Sequence, residues 1–164
     1  LQGVNDRLCY FALHSRVKGI KGFHDIADYP EATTIPGLIL YRFDANLVFF
    51  NADYFRGRVR EIIAAVEKPV EWFVLDASSI NVVDATAIQK IDEIREELTD
   101  RGIVLAYARV KPSLERHFEV DWVRKRHKLY GKYDFHTLKA AVRAFNNRAI
   151  QGLEQKPEPG ISHD

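Results

Sequence analysis

The sequence predicts an α/β domain: a mixed sheet of four to five strands with an N-terminal hairpin and about four packed helices. Three observations carry that prediction. Residues 38–43 (LILYRF), 72–75 and 103–108 are short apolar runs bounded by turn residues, and 72–75 is nearly continuous, as in a central parallel strand covered on both faces. The segments between them place apolar residues at helical spacing. Pro69, Gly102 and Pro112 then punctuate the joints. Alternating strands and helices favour right-handed parallel crossovers.

The elements follow in order. Residues 1–21 read as an arm or linker, with 11–13 and 16–20 either a short helix or an extended arm, and Gly19, Gly22, Pro30 and Pro36 mark the path onward. The compact region starts near Pro36 with the strand 38–43. Asp44, Ala45 and Asn46 form the expected turn, and 47–50 the hairpin partner. Asn51 is a plausible N-cap for a helix bearing Phe55, Val59, Ile62 or Ile63, and Val66. The strand 72–75 leads through an acidic, hydroxyl-rich loop into a helix over 84–100. That helix carries Ile88, Ile91, Ile94 and Leu98 on one stripe and Asp92, Glu93, Glu96 and Glu97 on its polar face. Gly102 ends it.

Beyond the strand 103–108, Pro112 opens a short helix containing Leu114 and Phe118. Residues 120–123 are a second turn of it or a loop. Leu129 and Tyr130 read as a short edge strand. Residues 134–137 open a last helix with Leu138, Ala141, Val142, Phe145 and Ala149. The order is β-β-α-β-α-β-α-(β)-α. The domain is placed at 22–151, and 152–164, polar with Pro157 and Pro159, as a disordered tail.

Size and charge narrow the function. The 164 residues suffice for one domain with a core, and a 46% hydrophobic, 29% charged composition is ordinary for a globular chain. A net charge of +1 gives no reason to expect a nucleic-acid partner. Cys9 is the single cysteine, which excludes an internal disulfide framework and Cys-rich zinc sites. There is no run of 18 apolar residues and no signal peptide. The first residue is Leu1, the expectation for a fragment of something longer, although a processed or tagged product would look the same.

Residues 74–91 (VLDASSINVVDATAIQKI) hold the sharpest candidates. Asp76 ends a parallel strand, the edge where open α/β sheets bind ligands. It could help bind magnesium, but further oxygen ligands are not evident, and capping the loop is the plain alternative. Asp84 precedes Thr86 in the first turn of the helix, where free N–H groups receive an anion. Phosphate on Thr86 would sit at the positive helix end, although Asp84 would repel it. Ser78 and Ser79 complete this docking or phosphoacceptor surface. They lack the GxSxG elbow of a nucleophile. The histidines His14, His24, His117, His127, His136 and His163 form no compact ligand pattern, and no phosphate-cradling glycine motif is present, so neither a metal nor a cofactor is expected. The basic run Arg124, Lys125, Arg126, His127 and Lys128 suits anionic lipid headgroups or an acidic partner, or plain edge protection. Trp72 reads as packing, and Trp122 as packing or contact surface.

From about Gly22 to Ala149 the chain resembles the STAS domain of SulP-class sulfate transporters and anti-sigma-factor antagonists. The stretch 30–59 carries the resemblance to the transporter branch, through YPEATTIPG at 29–37 and FFNA at 49–52. It implies the STAS fold of the anti-sigma-factor antagonists. It also implies a non-catalytic cytoplasmic domain at the inner (plasma) membrane, following the transmembrane part of a secondary anion transporter, where it supports assembly and modulates transport. The implied partners are the transmembrane domain of the same polypeptide, a second copy in a full-length homodimer, and regulatory proteins, with weak regulatory nucleotide binding also seen among relatives. Antagonists carry a phosphorylatable serine where this chain has Thr86, and often a glycine where it has Ala87. A free-standing partner switch controlled at Thr86 is the alternative. The transported anion, sulfate or another, is not selected by these residues.

Overall fold

A computed structural model describes residues 10–15, 24–25, 34–114 and 133–154. Among them, the elements are β1 (Tyr10–Ser15), β2 (His24–Asp25), β3 (Leu38–Asp44), α1 (Ala52–Ala65), β4 (Trp72–Asp76), α2 (Ala85–Asp100), β5 (Val104–Ala108), β6 (Asp134–Phe135) and α3 (Leu138–Glu154). They make a six-stranded sheet in the order β2-β1-β3-β4-β5-β6. The strands β3, β4, β5 and β6 are parallel, with Leu38 opposite Trp72 and Trp72 opposite Val104. The α/β class and the parallel centre are as the sequence predicts.

Alternation along the strands divides the core. Ile39, Tyr41, Phe43, Phe73, Leu75, Leu105 and Tyr107 pack with Phe55, Val59, Ile62 and Ile63 of α1 and with Ile88, Ile91, Ile94 and Leu98 of α2. Leu38, Leu40, Trp72, Val74, Ala106 and Ala108 pack on the other face with Leu138, Ala141, Val142 and Phe145 of α3. With both faces covered, the central parallel strand is apolar from Trp72 to Leu75, and all five residues of β4 are buried, the last of them the carboxylate Asp76. Trp72 is packing, edge-on to Tyr133 at 5.1 Å and to Phe145 at 5.8 Å between centroids.

The structure corrects several expectations. Residues 47–50 are not a hairpin partner. β3 already has a neighbour on each side, β1 antiparallel and β4 parallel, so no edge is left for them. Instead Leu47 makes a lone parallel bridge to Val83, and Val48 closes a turn into α1 through Asn51 N and Ala52 N, both at 3.0 Å. The antiparallel strands come from β1 and β2, which raises the count to six. Of the two alternatives for residues 11–13, a short helix or an extended arm, the extended one holds, within β1. Asn51 makes no side-chain cap; its amide ties the turn, accepting from Val48 N at 2.9 Å and donating to the Asn46 carbonyl at 2.8 Å. Val66 lies outside the buried stripe, because the chain is already extended there. Asp92 is buried rather than solvated, beside Arg95 at 3.9 Å.

Among the described residues the long helices number three, and 112–114 add a helical turn that buries Leu114. Thr137 caps α3, its hydroxyl accepting from Ala140 N at 3.0 Å, and β6 precedes it at Asp134–Phe135. Phe118, residues 120–123, the edge strand expected at Leu129 and Tyr130, Trp122, Cys9 and the tail beyond Glu154 lie outside the described residues.

Candidate functional site

Two loops meet at the C-terminal edge of the parallel strands: residues 45–51 after β3 and residues 77–84 after β4. Their backbones pair through Leu47 N to the Val82 carbonyl at 3.0 Å and Asp84 N to the Leu47 carbonyl at 3.3 Å. Asn46 adds a side-chain bridge. Its Oδ1 accepts from Asn81 N at 3.1 Å and Val82 N at 3.2 Å. Most candidates from the 74–91 segment lie on this joined surface.

Asp76 is fully buried at the end of β4. Its Oδ1 accepts from Ser78 N at 3.1 Å and from Arg109 Nε at 2.9 Å, while its Oδ2 takes a second bond from the same guanidinium. The carboxylate therefore clasps its own loop and pairs with a cation. Arg109 comes from the residue after β5, in the left-handed region at φ 59°. The register makes this pairing possible, since Asp76 lies opposite Ala108. The Ser79 hydroxyl donates to Asp44, which also pairs with Arg42 at 2.7 Å. No group of three or more metal-ligating side chains occurs among the described residues.

Asp84 sits in extended conformation just before α2. It caps the helix through Ala87 N at 2.8 Å and holds the other loop through Phe49 N at 2.7 Å. Thr86 is exposed in the first turn, where the sequence reading places it. Nearby Phe49 and Phe50 stand 68% and 75% exposed, edge-on to each other at 5.6 Å, with Val82 51% exposed. Sequence reasoning missed this aromatic pair, taking the run LVFF for a strand. It also missed Arg109. Aligning WFVLD with VLAYA in register would have placed a cation beside Asp76. The basic run Arg124, Lys125, Arg126 and Lys128 falls outside the described residues.

Flanking the surface, α1 and α2 are joined by charge. Arg56 reaches Glu97 at 2.6 Å and Glu93 at 2.9 Å, Arg60 reaches Glu97 at 2.6 Å, and Lys90 reaches Asp53 at 3.3 Å. The hydrogen bond from Arg60, with help from Arg56, holds the Glu97 carboxyl down at about 2 against a desolvation that pushes it up. On β5, burial pushes the Tyr107 phenol well above its ordinary range; Arg95 opposes that shift, and Asp92 and Asp134 add to it.

Residues 29–130 match the STAS domain family. The "Probable sulfate transporter Rv1739c" of Mycobacterium tuberculosis is 46% identical over 132 residues, 80% of this chain and 23% of that protein. In structure, the murine Solute Carrier 26 family member A9 anion transporter superposes with a TM-score of 0.69 at 17% identity, over 85% of this chain and 22% of that one. An anti-sigma factor antagonist from Mycobacterium paratuberculosis superposes with a TM-score of 0.54 at 13% identity, over 70% of this chain and 90% of that one. At those identities the likeness to both structures is one of fold. The chain spans about a quarter of the transporters' length and most of the antagonist's.

Proposed function

Because the chain belongs to the STAS domain family, a non-catalytic regulatory fold, we propose that it is the cytoplasmic regulatory domain of a secondary anion transporter of the sulfate class. The observation that carries this reading is the 46% identity to a probable sulfate transporter across 80% of the chain. In this reading the transmembrane domain of the same polypeptide is the main partner, and transport chemistry resides there. This domain supports assembly, and the loop edge bearing Ser78, Ser79, Asp84 and Thr86 serves as its docking surface, with Asp76 buried beneath it rather than on it. The exposed Phe49, Phe50 and Val82 support that assignment, since large apolar side chains left exposed on a loop edge suit protein contact.

The test is uptake of labelled sulfate and, in parallel, bicarbonate by vesicles holding the full-length transporter with or without residues 22–149. At matched protein levels uptake is expected to fall on deletion. Undiminished uptake, on deletion, of an anion that the full-length transporter carries would overturn the reading.

A second reading has its own support. Thr86 is exposed in the first turn of α2, on a fold shared with anti-sigma factor antagonists. A free-standing partner switch would use phosphate at Thr86 to release its partner. Absence of apolar spans ahead of this domain in its gene would favour this alternative.

A further inference from the structure

One carboxylate holds two segments together. Asp84 Oδ1 accepts from Ala87 N at 2.8 Å, capping α2, and Oδ2 accepts from Phe49 N at 2.7 Å, 35 residues earlier in the chain. The rest of the loop is fastened elsewhere: Leu47 N to Val82, Asn46 to the amides of Asn81 and Val82, Val48 N to Asn51. Phe49, the first of the exposed aromatic pair, is tied to the helix bearing Thr86 through Asp84.

We propose that Asp84 couples the charge at Thr86 to the conformation of the Phe49–Phe50 loop. The proposal rests on the reading of this edge as a docking and phosphoacceptor surface, and it names how the two halves of that surface communicate. An anionic group on Thr86 competes with Asp84 for the N–H groups at the start of α2 and repels its carboxylate. Among the described residues, two cations of this region are already engaged. Lys90, one turn along α2, is held by Asp53 at 3.3 Å and Glu93 at 3.0 Å, and Lys111 donates to Asn81.

The two bonds of Asp84 then differ in consequence. The Ala87 N–H can turn to the new anion, so α2 keeps a cap. The Phe49 N–H is left to water, so the aromatic pair loses its tie to the helix. Charge at Thr86 thereby loosens the Phe49–Phe50 loop and spares the helix.

Amide hydrogen exchange read by NMR on the full 164-residue chain tests this. The variants are Thr86→Glu and its neutral counterpart Thr86→Gln, each with Asp84 present and with Asp84→Ser. Serine still caps a helix but is too short to hold both segments. With Asp84 present, Phe49 exchange is expected to be about fivefold faster in Thr86→Glu than in Thr86→Gln, with Val74 and Ala106 unchanged. With Asp84→Ser the two should exchange alike, since coupled residues are non-additive. Equal exchange with Asp84 present would overturn the proposal. So would an undiminished difference in Asp84→Ser, or a rise shared by Val74 and Ala106. Transport is not read in this experiment, so its failure leaves the transporter reading standing, and failure of the uptake test leaves this coupling standing.

Discussion

Asp76 shows how one buried carboxylate organises the site edge. Its partner Arg109 is 40% exposed at the side chain, so the pair is only half withdrawn from water. Removing one member of a buried pair strands the other, but Arg109 can turn outward. Asp76→Asn is therefore expected to cost about 2–3 kcal/mol, below the full range for a wholly buried pair. Urea unfolding checks this; an unchanged midpoint would mean the clasp is dispensable. Glu97 makes a pH-dependent prediction. Its carboxyl is lowered from 4.5 to about 2 in the folded chain, so its contribution is full above pH 4.5 and is lost as pH falls through about 2. The difference in urea midpoint between the native chain and Glu97→Gln should thus be largest near neutrality and shrink between those two values. A gap independent of pH would remove the Arg60 and Arg56 interactions as its cause. Solvent screening keeps the gap modest, because the side chain is one-third exposed.

At the scale of elements, α2 was the most legible from sequence. Ile88, Ile91, Ile94 and Leu98 repeat at helical spacing, Asp84 is a natural cap, and Gly102 takes the left-handed φ of 71° that ends the helix. Ile91→Asp places a charge on that stripe. It is expected to cost roughly 3–4 kcal/mol and lower the thermal midpoint by about 10 °C. An unchanged midpoint would mean that Ile91 does not face the core. The run LVFF was illegible for a physical reason. Its apolar residues satisfy a strand pattern, but whether they pair depends on which edges of β3 are free, and β1 occupies that edge from far upstream. Asp92 misled in the opposite way. An acidic residue inside a charged helix reads as solvated, and only the packing of α2 on β5 shows it buried. Arg109 was hidden because a left-handed arginine carries no mark in the sequence, although the Asp76 to Ala108 register implied its place.

For the whole molecule, the parallel sheet gathers its loops at one edge, so segments distant in sequence share one surface. Asn46 and Asp84 turn that proximity into fixed geometry, with hydrogen bonds spanning 35 residues. A regulatory domain in this account needs that edge intact and its core folded; it needs no pocket of its own. The fold class was legible because strand runs and helix stripes are local patterns, and the family because of the motifs at 29–37 and 49–52. How the edge works was not, because it depends on pairings between loops.

The measurement that tests the central claim most directly is the initial rate of labelled sulfate uptake by the full-length transporter carrying Ile91→Asp, at a temperature between the thermal midpoints of the variant and the native domain. This variant keeps the chain at full length and disrupts only the folded domain. At matched amounts in the membrane, the account predicts a rate reduced toward that of the transporter lacking residues 22–149. A rate equal to that of the native transporter, with the domain shown to be unfolded, would contradict it.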